Sequence, residues 1–363
     1  MENNYSLNIH ELFMSRALEL ASKGRGKVSP NPMVGCVLVK NGEIIGEGYH
    51  KEFGGPHAEL MAIRNSRMDP IDSVAYVNLE PCCITGKTPP CTSTLKENGI
   101  SEVYIGMLDP NSEVNGKGVE ELENTGILTH VGVLEDESNR LNQGFCKWTT
   151  QGLPFVIAKV AQTLDGYMGI NAETSTWITG DISKTHTHVL RSKVDAVLIG
   201  RQTALIDNPS LTVREVPGKN PIRVILDTNR KLPLNLKLFN DKKAKNIVIC
   251  SESKFNKSKT HFCEHIPVKE QNKTLSPIHI LKALAEEGIT SLLIEGGQTV
   301  LSSFILKNLI DQIYIYTSPD KLEGAELKNP LELSEEWSVI EEDTLGEDTL
   351  KIVEKGVKCL QES

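Results

Sequence analysis

The chain has no run of about 18 apolar residues, the length a membrane-crossing helix needs, so no span is expected. Met1-Glu2-Asn3-Asn4 is not a basic stretch leading into an apolar one, and no export leader is expected. Positive charge is also short: 39 Lys and Arg face 48 Asp and Glu, giving a formal net charge of −9. That balance argues against a broad grip on nucleic acid, though a local pocket for one phosphate remains open. Eight cysteines in 363 residues are too few for a disulfide scaffold. Without a leader they are expected to be reduced thiols in the cytoplasm, available for metal binding or burial. No Gly-x-Gly-x-x-Gly follows a strand pattern, which removes the usual dinucleotide fingerprint. Internal repeats and low-complexity runs are absent.

What is present is an alternation of helix and strand patterns. The length suggests about two domains of roughly 150 residues, and Thr149-Thr150-Gln151-Gly152-Leu153-Pro154 reads as their boundary, giving domains 1–149 and 150–363. In the first, Ile9, Leu12, Phe13, Ala17, Leu18 and Ala21 recur at helical spacing. Strands are expected at 34–39 and 43–49, joined by Asn41-Gly42, a tight-hairpin signal. A helix at 58–67, a strand at 74–79, a helix after Cys91, a strand at 103–107, a helix near 119–124 and a strand near 128–134 complete the unit. The second domain shows strand patterns at 155–161, 196–200, 223–226, 246–250, 292–294 and 313–316. Its helix patterns fall at 184–193, 279–287 and 299–308, and edge strands are expected after Ser334. Both domains read as α/β, with a partly parallel sheet covered on both faces.

The chemistry concentrates in Pro56-His57-Ala58-Glu59, Glu80-Pro81-Cys82 and Pro89-Pro90-Cys91. One imidazole and two thiolates can hold zinc and leave its fourth position open, and a non-ligand carboxylate beside them can move protons. The pattern is that of hydrolytic zinc deaminases, His-x-Glu followed by Pro-Cys-x-x-Cys, with a longer gap between the cysteines here. His57 and Glu59 fall at the start of one helix and Cys91 at the start of the next, where backbone N–H groups favour thiolate. Zinc on His57, Cys82 and Cys91 would acidify a water, and Glu59 would carry its proton to the ring nitrogen and the leaving amine. A structural zinc with Cys83 as fourth ligand is the competing reading.

Together with Asn31-Pro32-Met33-Val34-Gly35, Gly86-Lys87-Thr88-Pro89-Pro90-Cys91 and Asp109-Pro110-Asn111, these segments resemble the bifunctional riboflavin-biosynthesis deaminase/reductase family. The resemblance implies a cytidine-deaminase-like three-layer α/β/α domain followed by a dihydrofolate-reductase-like α/β domain. It implies hydrolytic deamination of 2,5-diamino-6-(5-phosphoribosylamino)pyrimidin-4(3H)-one, then NADPH-dependent reduction of the ribosyl side chain to ribityl. Zn2+ is assigned to His57, Cys82 and Cys91, proton transfer to Glu59, and contacts with the pyrimidine phosphate to Asn31, His50 and Lys87. In the second domain, Ala161, Trp177, Thr203, Asp207, Thr228 and Gly297-Gln298-Thr299-Val300-Leu301-Ser302-Ser303 are expected to line NADPH. Ser175, Arg191, Leu211, Arg214 and Glu295 are expected to face the substrate, the two arginines suiting its phosphate. Asp165 and Glu295 are possible proton-handling groups. The expected partner is a small pyrimidine ribosyl phosphate, without nucleic acid or membrane, and the expected assembly is a homo-oligomer.

The chain departs from the family at Cys82-Cys83-Ile84, where the family has Cys-Ser-His; Ile84 offers none of a histidine's hydrogen bonds. Alternatives to the family reading are a deaminase for another nucleotide or for tRNA, and a zinc-containing nucleotide-binding regulator. Retention of Glu59, which zinc binding alone does not need, argues against the second. His186-Thr187-His188 reads as structural because residues two apart on a helix do not share a face. His261-Phe262-Cys263-Glu264-His265 reads as a loop despite its metal-like composition.

Overall fold

The computed structural model describes residues 8–85, 89–256, 262–271 and 273–356. The chain divides into two compact units, Met1–Gly152 and Leu153–Ser363. Among the described residues no helix is long and apolar enough to cross a membrane.

Unit 1 runs α1 (Ile9–Ser22), β1 (Gly35–Lys40), β2 (Glu43–Tyr49), α2 (Ala58–Arg64), β3 (Val74–Leu79), α3 (Cys91–Glu97), β4 (Glu102–Met107), α4 (Lys117–Asn124), β5 (Leu128–Val131) and α5 (Glu135–Gln151). Its five strands lie in the order β2-β1-β3-β4-β5. β1 is antiparallel to both neighbours, and β3, β4 and β5 are parallel. Asn41 and Gly42 turn the β1–β2 hairpin with φ of 52° and 80°. The period of two in β1 separates two cores. Cys36 and Leu38 pack with Ala58 and Ala62 of α2 and Leu95 of α3, whereas Val37 and Val39 pack with Phe13, Met14 and Ala17 of α1. The result is a sheet between two helix layers.

The sequence pattern did not reveal α5. Its fully buried residues are polar, Ser138 and Asn142, and its apolar positions Leu141, Phe145 and Trp148 are only half-buried, so the apolar stripe is short and weak. This helix continues through Thr149 and Thr150, where a boundary was expected.

The packing of α1 on β1 has no spare space. A Cβ built on Gly35 would lie 2.0 Å from the Ala17 carbonyl oxygen and 2.7 Å from the Ala21 nitrogen, both helix backbone. Gly35→Ala must push α1 outward and is expected to destabilise unit 1 by about 1–3 kcal/mol. Chemical denaturation reads this directly; a wild-type midpoint would mean that the helix moves freely.

Unit 2 runs β6 (Phe155–Thr163), β7 (Tyr167–Gly169), α6 (Asp181–Ser192), β8 (Ala196–Gly200), α7 (Arg201–Ile206), β9 (Ile222–Leu226), α8 (Lys237–Asn240), β10 (Asn246–Ser251), β11 (Glu264–Val268), β12 (Glu270–Gln271), β13 (Thr274–Leu275), α9 (Pro277–Glu286), β14 (Ser291–Ile294), α10 (Gln298–Ile305), β15 (Gln312–Ser318), β16 (Leu327–Lys328), β17 (Trp337–Leu345) and β18 (Asp348–Lys355). Nine strands form one sheet in the order β11-β10-β9-β8-β14-β6-β15-β18-β17. It is parallel from β11 to β15, and β18 and β17 add antiparallel. One face packs Val156, Ala158 and Leu198 against α9 and α10; the other packs Ile157, Val197 and Ile199 against α6, α7 and α8. The uninterrupted apolar runs of β8 and β10 are buried throughout, as strands covered on both faces require. Of the two strands after Ser334, β17 forms the sheet edge and β18 lies inside it, between β15 and β17. β17, the outermost, is exposed over most of its length.

Candidate active sites

In unit 1 the zinc motif converges. His57 is the N-cap of α2, Cys91 is the first residue of α3, and Cys82 lies three residues beyond the end of β3. His57 Nδ1 is 3.1 Å from Cys91 Sγ and 3.5 Å from Cys82 Sγ. All three ligand atoms lie within 4.8 Å of one another, the one such group of three among the described residues. Tetrahedral bonds of the usual lengths would set N···S at about 3.6 Å, so the donor set and its spacing fit zinc. Cys83 lies outside the group, and Ile84 is 43% exposed.

The protons in the cluster are shared. A hydrogen bond from Cys91 pulls the Cys82 thiol down to about 4; burial opposes this and His57 assists it. Cys91 is pushed up by the same sharing and by burial. The Cys82 sulfur holds the His57 imidazole above its ordinary value, although burial opposes it. Glu59 is 3% exposed, and burial, followed by the charge of Cys82, raises its carboxyl above the usual range.

Asn31 and His50 adjoin this group. The His50 and His57 rings meet edge to face with centroids 5.7 Å apart. Burial lowers the His50 pKa, favouring the neutral ring. Its Nδ1 lies 3.0 Å from the Pro56 carbonyl oxygen and its Nε2 lies 3.1 Å from Asn31 Nδ2. A neutral ring that donates from Nδ1 accepts from Asn31, which leaves the Asn31 oxygen as an acceptor for a ligand. Lys87 lies outside the described residues.

The Asn31 loop is fixed by residues the motifs did not indicate. Met33 N donates to Asn142 Oδ1 at 2.8 Å, while Asn142 and Asn78 each donate to Met33 O at 3.0 Å. Gly35 N donates to Asn78 Oδ1 at 2.8 Å. Glu80 anchors the other flank. Its buried carboxylate accepts from the backbone N–H groups of Asp109, Gly116, Gly118 and Val119. Local sequence carries no sign of the Asn142 contact, because its partner is 109 residues away.

Unit 2 holds a cavity of about 930 Å³ beside the C-terminal ends of β8, β14 and β6. Of the expected cofactor residues, Ala161, Trp177, Thr203 and Asp207 line it, as do Gly297, Gln298, Thr299 and Val300 at the start of α10. Thr228, Leu301, Ser302 and Ser303 are not on its wall. Leu301 is 1% exposed within the apolar core, and Ser303 Oγ donates to the Val300 carbonyl oxygen. These residues follow the first turn of α10, where the helix rotates them away from the cavity. All five expected substrate residues, Ser175, Arg191, Leu211, Arg214 and Glu295, line it. Asp165 is off the wall and accepts from Thr163 Oγ1 at 2.6 Å.

Two sequence expectations change here. Arg191 is not a free phosphate ligand: its Nε and an NH2 bind the Glu295 carboxylate at 2.6 and 2.7 Å, and its NH1 reaches the Thr212 carbonyl oxygen at 3.3 Å. Burial pushes Glu295 up, but Arg191 outweighs it, with help from Lys159, and holds the carboxyl below its ordinary range. The second change is His188, which lines the cavity, whereas His186 pairs with Tyr316 Oη at 2.8 Å. Lys159 was also missed. It lies on the cavity wall with its pKa lowered by burial, and the visible sign was a lone charge inside the apolar run Phe155-Val156-Ile157-Ala158-Lys159-Val160. The cavity's size, its glycine turn at the start of α10 and its mixed polar wall fit a dinucleotide with a small substrate. His261 lies outside the described residues, and no group of three metal-ligating side chains gathers around Cys263 and His265 among the described ones.

Residues 7–107 match the cytidine and deoxycytidylate deaminase zinc-binding region, and residues 154–336 match the RibD C-terminal domain. The riboflavin biosynthesis protein RibD of Aquifex aeolicus is 42% identical over 314 residues, covering 86% of this chain and 87% of that one. RibD of Haemophilus influenzae is 37% identical over 367 residues, covering 95% and 98%. Among solved structures, a diaminohydroxyphosphoribosylaminopyrimidine deaminase/5-amino-6-(5-phosphoribosylamino)uracil reductase from Thermotoga maritima superposes with a TM-score of 0.86. It is 38% identical, with 96% of this chain and 99% of that chain covered. Acinetobacter baumannii RibD gives a TM-score of 0.85 at 32% identity with the same coverage.

Proposed function

Because the chain belongs to the RibD family of riboflavin-biosynthesis proteins, we propose that its own residues divide two consecutive reactions between the two units. It is a bifunctional enzyme with a zinc-dependent deaminase domain and an NADPH-dependent reductase domain, and a deaminase for tRNA or a purely regulatory protein is not favoured. Residues 1–149 are assigned hydrolysis of the exocyclic amine of 2,5-diamino-6-(5-phosphoribosylamino)pyrimidin-4(3H)-one. Residues 150–363 are assigned reduction of the deaminated product to the ribityl compound. The observation that carries the first assignment is the approach of His57 Nδ1 to both Cys82 and Cys91 sulfurs, with Glu59 buried beside them.

His57, Cys82 and Cys91 would hold zinc, which would supply a water acidified to a pKa of roughly 7. Glu59 is assigned to accept the attacking water's proton and to return protons to the ring nitrogen and the departing amine. Its burial suits a group that must be protonated and deprotonated in one turnover. Asn31, with its amide nitrogen held by His50, presents its oxygen to the pyrimidine, and Lys87 is assigned to the same substrate. In the second site NADPH supplies hydride. Thr203, Gly297 and Gln298 are assigned to that cofactor, and Ser175, Leu211 and Glu295 to the substrate. Arg214, 55% exposed beside Glu215, is the arginine available to a substrate phosphate. Arg191 instead fixes Glu295. A homo-oligomeric assembly and a cytoplasmic setting belong to the same proposal.

Purified, zinc-loaded protein given the diaminopyrimidine phosphate is expected to release ammonia and then consume NADPH. A strong zinc chelator should abolish ammonia release yet leave NADPH oxidation intact when pre-deaminated substrate is supplied. Ammonia release from the metal-free protein would overturn the first assignment, and a failure to oxidise NADPH with either substrate would overturn the second.

A further inference from the structure

Six cationic side chains line the unit 2 cavity: Lys159, Lys184, Arg191, Arg201, Arg214 and Lys237. Most are already engaged. Arg191 is forked onto Glu295, Lys159 is buried near the same carboxylate, and Lys184 binds Asp181 at 2.8 Å while lying 4.5 Å above the Trp177 ring. Arg214, assigned above to the substrate phosphate, lies 3.2 Å from Glu215 in an exposed pair. Lys237, at the start of α8, donates its backbone N–H to Asn208 Oδ1, which places no constraint on its ammonium.

Arg201 is set apart by its place in the fold. It is the first residue of α7, directly after β8, and β8 pairs with β14, the strand that leads into the glycine turn before α10. Glu295 N at that turn donates to Leu198 O of β8 at 3.0 Å, so the two strand ends are tied together. On its other side β8 pairs with β9, which ends one residue before Asp227. Asp227 is 1% exposed, its Oδ2 accepts from Leu232 N at 2.7 Å, and its Oδ1 accepts no hydrogen bond. That oxygen is 3.8 Å from Arg201 Nε, an ion pair too long to be a hydrogen bond. The Arg201 side chain is 44% exposed and lies on the cavity wall.

We infer that Arg201, steadied by Asp227, receives the 2′-phosphate of NADPH and makes the reductase site prefer NADPH to NADH. The inference rests on the reading that this cavity takes the nicotinamide dinucleotide. With the diphosphate at the α10 N-terminus, the adenosine ribose lies along the strand ends between β14 and β9, where Arg201 stands. A guanidinium fork matches a phosphate dianion, and an arginine at this place is a recurrent way to accommodate the 2′-phosphate. An acid at a strand end can instead bind the unphosphorylated 2′-hydroxyl and favour NADH. Asp227 is buried and bonded to its own loop, so it steadies the arginine and does not meet the ribose.

The test is equilibrium binding of NADPH, NADH and 2′,5′-ADP to the full-length protein and to Arg201→Gln, followed by nucleotide fluorescence or calorimetry. Loss of one charge-assisted contact should weaken NADPH and 2′,5′-ADP by on the order of 10–100-fold and leave NADH within about twofold. Arg201→Lys should recover part of the loss, because it keeps the charge without the fork. Parallel loss of NADPH and NADH would overturn the inference and make Arg201 a diphosphate or structural residue. Unchanged NADPH affinity in Arg201→Gln, or equal wild-type affinity for the two nucleotides, would overturn it and leave the reductase reading standing. Wild-type protein that binds none of the three would remove both.

Discussion

Glu59→Gln is expected to stop deamination while leaving zinc and the second reaction in place. The two side chains have nearly the same shape, so the substitution leaves the packing around this buried position in place. Zinc content should therefore stay at the wild-type level, because the ligands His57, Cys82 and Cys91 are untouched. What is lost is a group able to accept a proton and give it back. Positioned acid–base catalysis contributes about 10²–10⁴-fold, and ammonia release should fall by at least that factor. NADPH oxidation with separately supplied deaminated substrate should proceed at the wild-type rate. Normal ammonia release by the variant would rule out Glu59 as the proton carrier. Loss of zinc from it would show that the carboxylate holds the ligands, not the proton.

Arg191→Met should cost unit 2 about 3–5 kcal/mol, the usual price of leaving one half of a buried pair without its partner. The two side chains are 12% and 9% exposed, and two short hydrogen bonds join them. Lys159 tempers the loss, since it also attracts Glu295. Replacing both partners, as Arg191→Met with Glu295→Met, should recover most of the stability, because two apolar side chains leave no buried anion behind. Reductase activity should be lost in both variants. Denaturant titration of the two proteins checks this. A single variant within about 1 kcal/mol of wild type would mean that water reaches Glu295 and that the pair is effectively exposed.

The deaminase half was the more legible because its chemistry is written in short segments. His57 and Glu59 are two residues apart, Cys82 and Cys91 follow in order, and the three ligand side chains come together in the fold. Arg191 and Glu295 show the opposite situation. Each was expected to face the substrate, and both do reach the cavity, but they are joined across 104 residues of sequence. No local rule shows that one will occupy the other's donors. The rule about helix faces separates His186 from His188 and says nothing about which of them meets the cavity; His188 lines it and His186 does not. Residues at the far end of the Gly297–Ser303 run lie off the cavity wall for the related reason that a helix turns. The first turn meets the cavity, and the residues that follow enter the core or bond to their own backbone.

The polar helix α5 changes what a portable deaminase would have to contain. The matched deaminase region ends at residue 107, and a fragment cut there would still contain every proposed zinc ligand and Glu59. It would lack Asn142, which grips both the N–H and the carbonyl of Met33, two residues from the Asn31 side chain. Such a fragment could keep its metal and lose its hold on the pyrimidine. The indivisible module therefore runs to the end of α5. A gene fusion or excision that respected only the motif-bearing segment would separate the catalytic group from the scaffold that aims it.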